Sequence, residues 1–256
     1  MDELIQRIIQ QVKSQNTTSH TFKSVYRCNK CRDTGFVEYG GVYKRCECAE
    51  LDYVNRLWKN FGVDPGEIKM LRDYEVDNEV RKQARDKAID YIKSFNDIEK
   101  NRVNGFCLMG QSGAGKTHIV TAIGKALLDK KIPVVYMPYL EALRELKSSV
   151  LDLEHYNKLI NRYKGARVLI IDDLFKDKIR SGNVIGEIKE SDMKHIYEIL
   201  NYRYLNYKPT LISTECTPEL LVTLDEALAG RILECCSKRF GVVFRENCNY
   251  RLKDFM

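Results

Sequence analysis

A glycine-rich stretch, GQSGAGKTH, follows a short apolar run and leads directly into a helical pattern. From Gly110 to Thr117 it matches G-x-x-x-x-G-K-[ST] in full, in the strand-to-helix setting that this motif requires. The glycines let backbone N–H groups surround a phosphate, and the following helix directs its positive end toward it. A chance glycine-rich turn would lack the flanking strand and helix. The stretch therefore predicts a nucleoside triphosphate site in an α/β fold.

Side chains in the same loop have separable expected roles. Lys116 is placed to reach the β- and γ-phosphates, and Thr117 to ligate magnesium. We expect the other residues to line the phosphates, mostly through their backbone: Gly110, Gln111, Ser112, Gly113, Ala114, Gly115 and His118. ATP and magnesium are the implied ligands.

Two adjacent acids end a buried strand further along the chain. The run VLIIDD carries four apolar residues straight into Asp172 and Asp173, which argues against a solvated loop. A carboxylate at the end of such a strand suits the magnesium shell, and we assign that role to Asp172. Asp173 is then the residue that orients or deprotonates the attacking water.

Apolar runs alternate with helical patterns from Gly105 onward, which indicates a parallel sheet flanked by helices. The predicted strands cover residues 105–110, 132–138, 167–173, 209–214 and 241–245. The predicted helices cover residues 116–131, 139–163, 191–206 and 217–224. A further amphipathic helix is expected from Asn78 to Phe95.

The first part of the chain has a different character. An apolar stripe over residues 4–12 predicts a helix, and a second helix is expected around Trp58. The glycines and proline of GVDPGE interrupt the pattern. We place a domain boundary there, dividing the chain into an N-terminal module at 1–66 and an ATPase domain at 67–256.

Four cysteines form two tight pairs in the N-terminal module. Cys28 and Cys31 are separated by two residues, and Cys46 and Cys48 by one. Thiolates at this spacing suit a closed tetrahedral zinc site, whereas a redox site needs a single reactive pair. The residues between the pairs predict a small hairpin that turns at Gly40-Gly41. The other cysteines are expected to be ordinary thiols: Cys107, Cys216, Cys235, Cys236 and Cys248.

Bulk properties predict a cytoplasmic protein. The start is acidic and never becomes a long apolar run, so no signal peptide or membrane span is expected. Nine cysteines without a secretion signal are typical of reduced thiols. The net charge of +6 favours an anionic partner only weakly.

An ordered set of motifs resembles the DnaC/DnaI-type helicase loaders of bacteria and phages, which are AAA+ ATPases. The set begins with the four paired cysteines, here called the cysteine clasp, which include the sequence CRDTGF. It continues with LWKNFGVDP, GQSGAGKTH, VLIIDDL, YEILNYRYLN, DEALAGRI and NYRLK. The resemblance spans nearly the whole chain. It implies an AAA+ P-loop domain preceded by a small zinc-binding module.

The same resemblance implies roles for several further residues. Arg231 matches the arginine finger that reaches the nucleotide of a neighbouring subunit, and Arg251 matches the sensor arginine. Arg203 matches a family arginine whose role is open. The polar sensor expected after the fourth strand is commonly Asn, but Glu215 occupies that position. Thr214 or Glu215 then serves, or hydrolysis is slow.

The implied partners are a hexameric replicative helicase, gripped by the zinc module, single-stranded DNA, and further copies of the chain. Tyr202, Tyr204, Tyr207 and Lys208 are either stacking and phosphate contacts for single-stranded DNA or ordinary helix residues. One alternative function is a transposition-accessory ATPase of the IstB type, which the cysteine clasp disfavours. Another is a regulator that holds ATP and scarcely hydrolyses it.

Overall fold

The structure is a computed structural model that describes residues 26–64, 66, 68–180, 182–186, 190–245 and 249–250, without the side chains of 190 and 191. The predicted helix at residues 4–12 lies outside the described residues, as do Pro65, Cys248 and Arg251. The chain divides into two compact units, Met1–Asp52 and Tyr53–Met256. The functional boundary at residue 66 remains a prediction.

The described part of the first unit contains an antiparallel hairpin, with β1 at Phe36–Tyr39 and β2 at Val42–Arg45. Gly40 and Gly41 form the two-residue turn with φ angles of 58° and 82°, which is the left-handed pair that a type I′ turn requires. The predicted hairpin is therefore confirmed. Helix α1, Glu47–Phe61, follows it and contains the division between the two units.

A parallel sheet organises the described residues of the second unit. Its strands are β3 (Phe106–Gly110), β4 (Val134–Pro138), β5 (Val168–Leu174), β8 (Thr210–Thr214) and β9 (Gly241–Phe244), in the order β4-β5-β8-β3-β9. A small antiparallel pair, β6 (Ile179–Arg180) and β7 (Asn183–Val184), lies apart from it. The helices are α2 (Glu79–Ile98), α3 (Lys116–Asp129), α4 (Tyr139–Ser148), α5 (Leu153–Gly165), α6 (Glu190–Leu205), α7 (Pro218–Leu224) and α8 (Glu226–Phe240).

The sheet is the centre of the apolar core. All residues of β3 are buried, and so are the apolar residues of β5. Helix α3 packs closely against this layer at Gly124. A Cβ added there would lie only 2.7 Å from the Ile170 side chain. Continuous burial on both faces explains why these strands read as unbroken apolar runs rather than as alternating ones.

Two features of the helical layer differ from the sequence-based expectation. The helix predicted over residues 139–163 is two helices, because Asp152 caps α5 by accepting a hydrogen bond from the His155 amide at 3.0 Å. Helix α8 was not predicted. Asp225 caps it in the same way, and the backbone bends at Ser237, where φ is 44°.

The strand order brings the functional positions together. Parallel strands end at the same edge of a sheet, so the last residues of β3, β5 and β8 lie side by side. A ligand cleft is expected outside these carboxyl ends. Within the part of the chain that the structure describes, no helix is long and apolar enough to cross a membrane.

Candidate functional site

The phosphate loop connects the end of β3 to the start of α3 through left-handed glycines. Gly110, Gly113 and Gly115 have φ angles of 95°, 73° and 83°. A Cβ added at Gly115 would lie 2.6 Å from the Tyr74 ring, and one at Gly110 would collide with the carbonyl oxygen of Phe244. Both backbone angle and space thus require glycine at these two positions. The loop has the conformation that its sequence predicts.

Lys116 lies folded into its own loop. Its ammonium donates hydrogen bonds to the carbonyl oxygens of Gly110 and Gln111 at 2.8 and 2.6 Å. Burial lowers the pKa of Lys116 to about 8, although Glu215 and Asp173 favour its charged form. The charge is therefore held over the glycine loop, where a phosphate can replace the carbonyl partners.

Asp172 is a buried carboxylate surrounded by hydroxyl groups. Thr117 donates to its Oδ1 at 2.9 Å, Tyr136 donates to its Oδ2 at 2.7 Å, and Ser213 donates to Oδ1 as well. The predicted magnesium pair, Thr117 and Asp172, is thus in direct contact. Tyr136 and Ser213 were missed by sequence reasoning, because no motif marks a hydroxyl on a neighbouring strand.

Asp173 occupies a left-handed turn at the end of the same strand, with a φ of 56°. Its amide donates to the Ser213 hydroxyl at 2.9 Å, which fixes the backbone, and its side chain lines the cleft. Burial raises the pKa of the Asp173 carboxyl, and the negative charge of Asp172 raises it further. A more basic carboxylate in this cleft suits the role of orienting or deprotonating water.

The end of β8 separates the two candidate sensors. Thr214 is fully buried, donates to the Leu174 carbonyl at 2.7 Å and accepts from the Cys216 amide at 3.0 Å. It lies outside the set of described residues that line the cleft. Glu215 does line the cleft and forms an ion pair with Lys176. Of the two residues that the sequence left open, Glu215 is the one that lines the cleft beside the phosphate loop.

The cleft itself has a volume of about 440 Å³, which is enough for a nucleotide. Beyond the phosphate loop it is lined by Lys69, Asp73, Tyr74, Glu75, Arg81, Thr121 and Tyr250. The Tyr74 hydroxyl donates to the Ala114 carbonyl at 2.8 Å and so ties this segment to the loop. His118 lies beside it, with Nε2 2.9 Å from the Met70 carbonyl oxygen. Sequence reasoning missed the segment around Tyr74, which matches no short motif.

The pKa of the Glu215 carboxyl is lowered, because the effect of its partners exceeds the opposing effect of burial. Burial alone would raise the pKa of the Glu215 carboxyl, but Lys176, Ser112 and Lys116 together lower it below its ordinary value. The group is therefore charged at neutral pH. Lys176, which follows the strand that carries the two aspartates, was missed because a lysine in a polar turn normally predicts only a solvated surface.

The three arginines suggested by the resemblance have different positions. Arg231, on α8, lies outside the described lining of the cleft, and its guanidinium lies 5.1 Å from the ring centre of Tyr197 and 5.7 Å from that of Tyr204. It is therefore not placed to act on the nucleotide of its own chain. Arg251 lies outside the described residues.

Arg203 is a buried structural residue in this fold. Its guanidinium donates to carbonyl oxygens at the C-terminal end of α5, including those of Tyr163 and Ala166 at 2.9 and 2.8 Å. It also donates to the Pro209 carbonyl and the Thr210 hydroxyl before β8. Burial lowers the pKa of Arg203 to about 9, so the charge remains at neutral pH and offsets the negative end of α5.

Three tyrosines lie at the end of α6 or just beyond it, namely Tyr202, Tyr204 and Tyr207. Tyr202 and Tyr207 are exposed, and the Arg102 guanidinium lies 4.1 Å from the ring centre of Tyr204 and 4.3 Å from that of Tyr207. Lys208 donates to the Gly165 carbonyl at 3.3 Å. The tyrosine rings and the Arg102 guanidinium thus share one surface. This arrangement is compatible with contacts to single-stranded DNA and also with ordinary helix residues.

The cysteine pairs converge in the first unit. The Sγ atoms of Cys28 and Cys46 are 3.7 Å apart, those of Cys31 and Cys48 are 3.4 Å apart, and all four lie within 4.8 Å of one another. Sulfurs bound tetrahedrally at about 2.3 Å from zinc lie about 3.8 Å apart. The donor set and its spacing fit a closed zinc site.

Comparison with known proteins gives a consistent set of relatives. The family described as the bacterial DnaA ATPase domain matches residues 70–236. Protein XkdC of the phage-like element PBSX of Bacillus subtilis is 38% identical over 231 residues, which cover 86% of this chain and 83% of XkdC. The replicative helicase loader DnaI of Bacillus subtilis is 31% identical over 150 residues, covering 57% of this chain and 46% of DnaI. An ATP-binding protein of insertion sequence IS232 from Bacillus thuringiensis is 27% identical over 227 residues, covering 80% and 84%.

Solved structures share the fold. A crystal structure of DnaI aligns with a TM-score of 0.57 and 21% identity, covering 73% of this chain and 94% of that one. A crystal structure of the DnaC helicase loader aligns with a TM-score of 0.51 and 24% identity, covering 74% and 98%. At these identities the alignments show the shared fold alone.

Proposed function

The chain belongs to the family of the bacterial DnaA ATPase domain, as an AAA+ ATPase of the DnaC/DnaI type, and from this we propose that it loads a replicative DNA helicase onto single-stranded DNA. The observation that carries the proposal is the presence, in one chain, of a phosphate cleft and a clustered set of four thiols. The first supplies an ATP-dependent switch, and the second supplies a small rigid docking module. A cytoplasmic setting fits both.

The cleft supports ATP binding and hydrolysis with magnesium. Thr117 and Asp172, already in contact, are the residues that would hold the ion on the β- and γ-phosphates. Lys116 would exchange the carbonyls of its own loop for phosphate oxygens. Asp173 faces the same space with a raised pKa and would orient the attacking water or accept its proton.

Zinc is the proposed metal of the N-terminal module. The described hairpin exposes most of its side chains and so contributes little apolar burial. A module this small gains most of its folding free energy from the metal when its own core is insufficient. We therefore infer that Cys28, Cys31, Cys46 and Cys48 hold zinc and that the folded module grips the helicase.

The position of Arg231 supports the proposal that the chain self-associates. A permanently charged, forked guanidinium suits the charge of a transferring phosphoryl group. Arg231 lies outside the described lining of its own cleft, and we therefore propose that it acts at the cleft of another copy. Arg251 is proposed as the second, sensor arginine on the basis of the family resemblance alone.

An accessory ATPase of a transposable element is the second candidate. The similarity to the IS232 protein, which spans 80% of this chain, favours it specifically. Such a protein would assemble on duplex target DNA and would not need a helicase-docking module.

A third candidate, an ATP-switched DNA-binding regulator, rests on Glu215 at the sensor position.

Co-purification with the ring helicase of the host separates these functions. The intact chain should retain the helicase with ATP present, and the Cys46→Ser variant should not. The Cys235→Ser variant, altered outside the cluster, is the matched control. Failure of the wild-type chain to retain helicase, combined with retention of duplex DNA, would favour the transposition role. Failure to hydrolyse ATP even with DNA present would favour the regulator.

A further inference from the structure

A second lysine faces the phosphate cleft from the turn that follows β5. Lys176 begins the short 3₁₀ turn Lys176–Lys178, and its ammonium forms an ion pair with a carboxylate oxygen of Glu215. Both residues line the cleft, together with Lys116 and Asp173. The nucleotide mechanism derived above leaves Lys176 without a role.

The position of Lys176 is built into the backbone. Asp173 and Phe175, just before it, have φ angles of 56° and 61°, which residues with a Cβ adopt only at a cost. Phe175 is buried and packs edge-on against the Tyr139 ring, with ring centres 5.8 Å apart. This packing holds the turn in its strained form, so the lysine at its start is directed by the core.

Charge explains why Glu215 needs such a partner. Its carboxylate lies in the cleft near Lys116 and Ser112, where a terminal phosphate would be expected to bind. The carboxylate and that phosphate would compete there for the same cations. Lys176 neutralises Glu215, and its side chain is 35% exposed whereas that of Glu215 is 14% exposed. Lys176 therefore retains the freedom to change partners, while Glu215 remains more enclosed.

On the premise of ATP binding proposed above, we propose that Lys176 is a second phosphate-binding cation of this site, which exchanges Glu215 for the terminal phosphate of ATP. The phosphate offers more charge and more acceptor oxygens than the carboxylate does. ADP lacks this phosphate and leaves the Lys176–Glu215 pair in place. The exchange makes the cleft distinguish ATP from ADP, independently of hydrolysis.

The test is equilibrium binding of β,γ-methylene ATP and of ADP, with magnesium, to the intact chain. Lys176→Ala should weaken binding of the ATP analogue about tenfold, the effect of losing one charge-assisted hydrogen bond, and change ADP binding by less than about threefold. Lys176→Arg keeps the charge and should keep the preference. Glu215→Gln removes the competing carboxylate and should tighten analogue binding by a few-fold.

Arg180→Ala provides the matched control, because Arg180 is an exposed cation of the same loop that lies outside the described lining of the cleft. It should leave both affinities unchanged. Circular dichroism of each variant checks that the fold is intact. Equal weakening of analogue and ADP by Lys176→Ala, or no weakening of either, overturns the proposal. A wild-type chain that binds neither nucleotide overturns this proposal and the ATPase proposal together, whereas loss of helicase co-purification alone overturns only the loader function.

Discussion

The hairpin β1–β2 and the strand β3 are both short β structures, but they are stabilised in opposite ways. Every residue of β3 is buried, whereas β2 is exposed along its whole length. Strand β3 belongs to a sheet with an apolar core, and each residue of it gains free energy from burial. Among the described residues, the hairpin gains little from burial and depends on its turn, its strand pairing and the adjacent thiols. The two regions should therefore respond to different perturbations.

Metal removal should separate the two regions most completely. Purified chain is expected to carry close to one zinc, and Cys28→Ser or Cys46→Ser should unfold the N-terminal module, since four ligands are needed to close the site. ATP binding should persist, because the cleft lies in the second unit. Metal analysis, circular dichroism and nucleotide titration measure these effects. If protein prepared without chelator contains no zinc and its N-terminal module is nevertheless folded, the contrast between the hairpin and β3 is wrong.

Arg231 should have the next largest effect, and only in the assembled state. Arg231→Ala should leave the ATP affinity of the isolated chain within a few-fold of wild type. It should remove the increase in ATPase rate that helicase or single-stranded DNA produces, on the order of a thousandfold for an arginine finger.

Mixing variants sharpens this test. Arg231→Ala and Lys116→Ala each lack a different half of a composite site, so some mixed interfaces regain both halves and activity should partly return. An assembled mixture as inactive as either variant alone would mean that Arg231 has only the structural contacts seen with Tyr197 and Tyr204.

Asp173 should have a smaller effect that is confined to turnover. Asp173→Asn preserves shape but removes the basic carboxylate, and should reduce turnover about 100-fold or more with ATP binding retained. Asp129→Asn, at the exposed end of α3, is the control. Normal hydrolysis by Asp173→Asn would reassign the residue that positions water.

The pH dependence of turnover gives an independent check on Asp173. Its pKa is raised in the folded protein, and the role proposed for it requires the deprotonated form. The kcat/KM for ATP, which reports the groups of the free enzyme, should therefore begin to fall at a higher pH than it would with a carboxylate of ordinary pKa. In Asp173→Asn the residual kcat/KM should lose this acid limb. An unchanged acid limb would assign it to another group.

Arg203 should have the smallest effect, on stability alone. Arg203→Ala would leave carbonyl groups at the end of α5 without a donor, costing roughly 2–4 kcal/mol of unfolding free energy. Arg239, which pairs with Asp90 on the surface, is the control, and its removal should cost about 1 kcal/mol or less. Urea unfolding measures both. Equal effects of the two substitutions would contradict a structural role for the buried arginine.

Local patterns determined a large part of this protein. The glycines and lysine of the phosphate loop, the apolar run before Asp172 and the Gly-Gly turn each involve neighbours in sequence, and the structure has them as predicted. The cysteine spacing is local within each pair and requires only one short hairpin to bring the pairs together. Such features follow from backbone geometry over a few residues.

Tertiary structure alone decided the contacts across strands. Tyr136 and Ser213 reach Asp172 from 36 and 41 residues away, and Lys176 meets Glu215 across 39 residues. These pairs depend on the order β4-β5-β8-β3, which no local pattern contains. The same packing directed Thr214 into the core and buried Arg203 beneath α5. A periodic pattern records which face of an element is apolar, but the identity of the residue opposite is set only when the whole sheet has assembled.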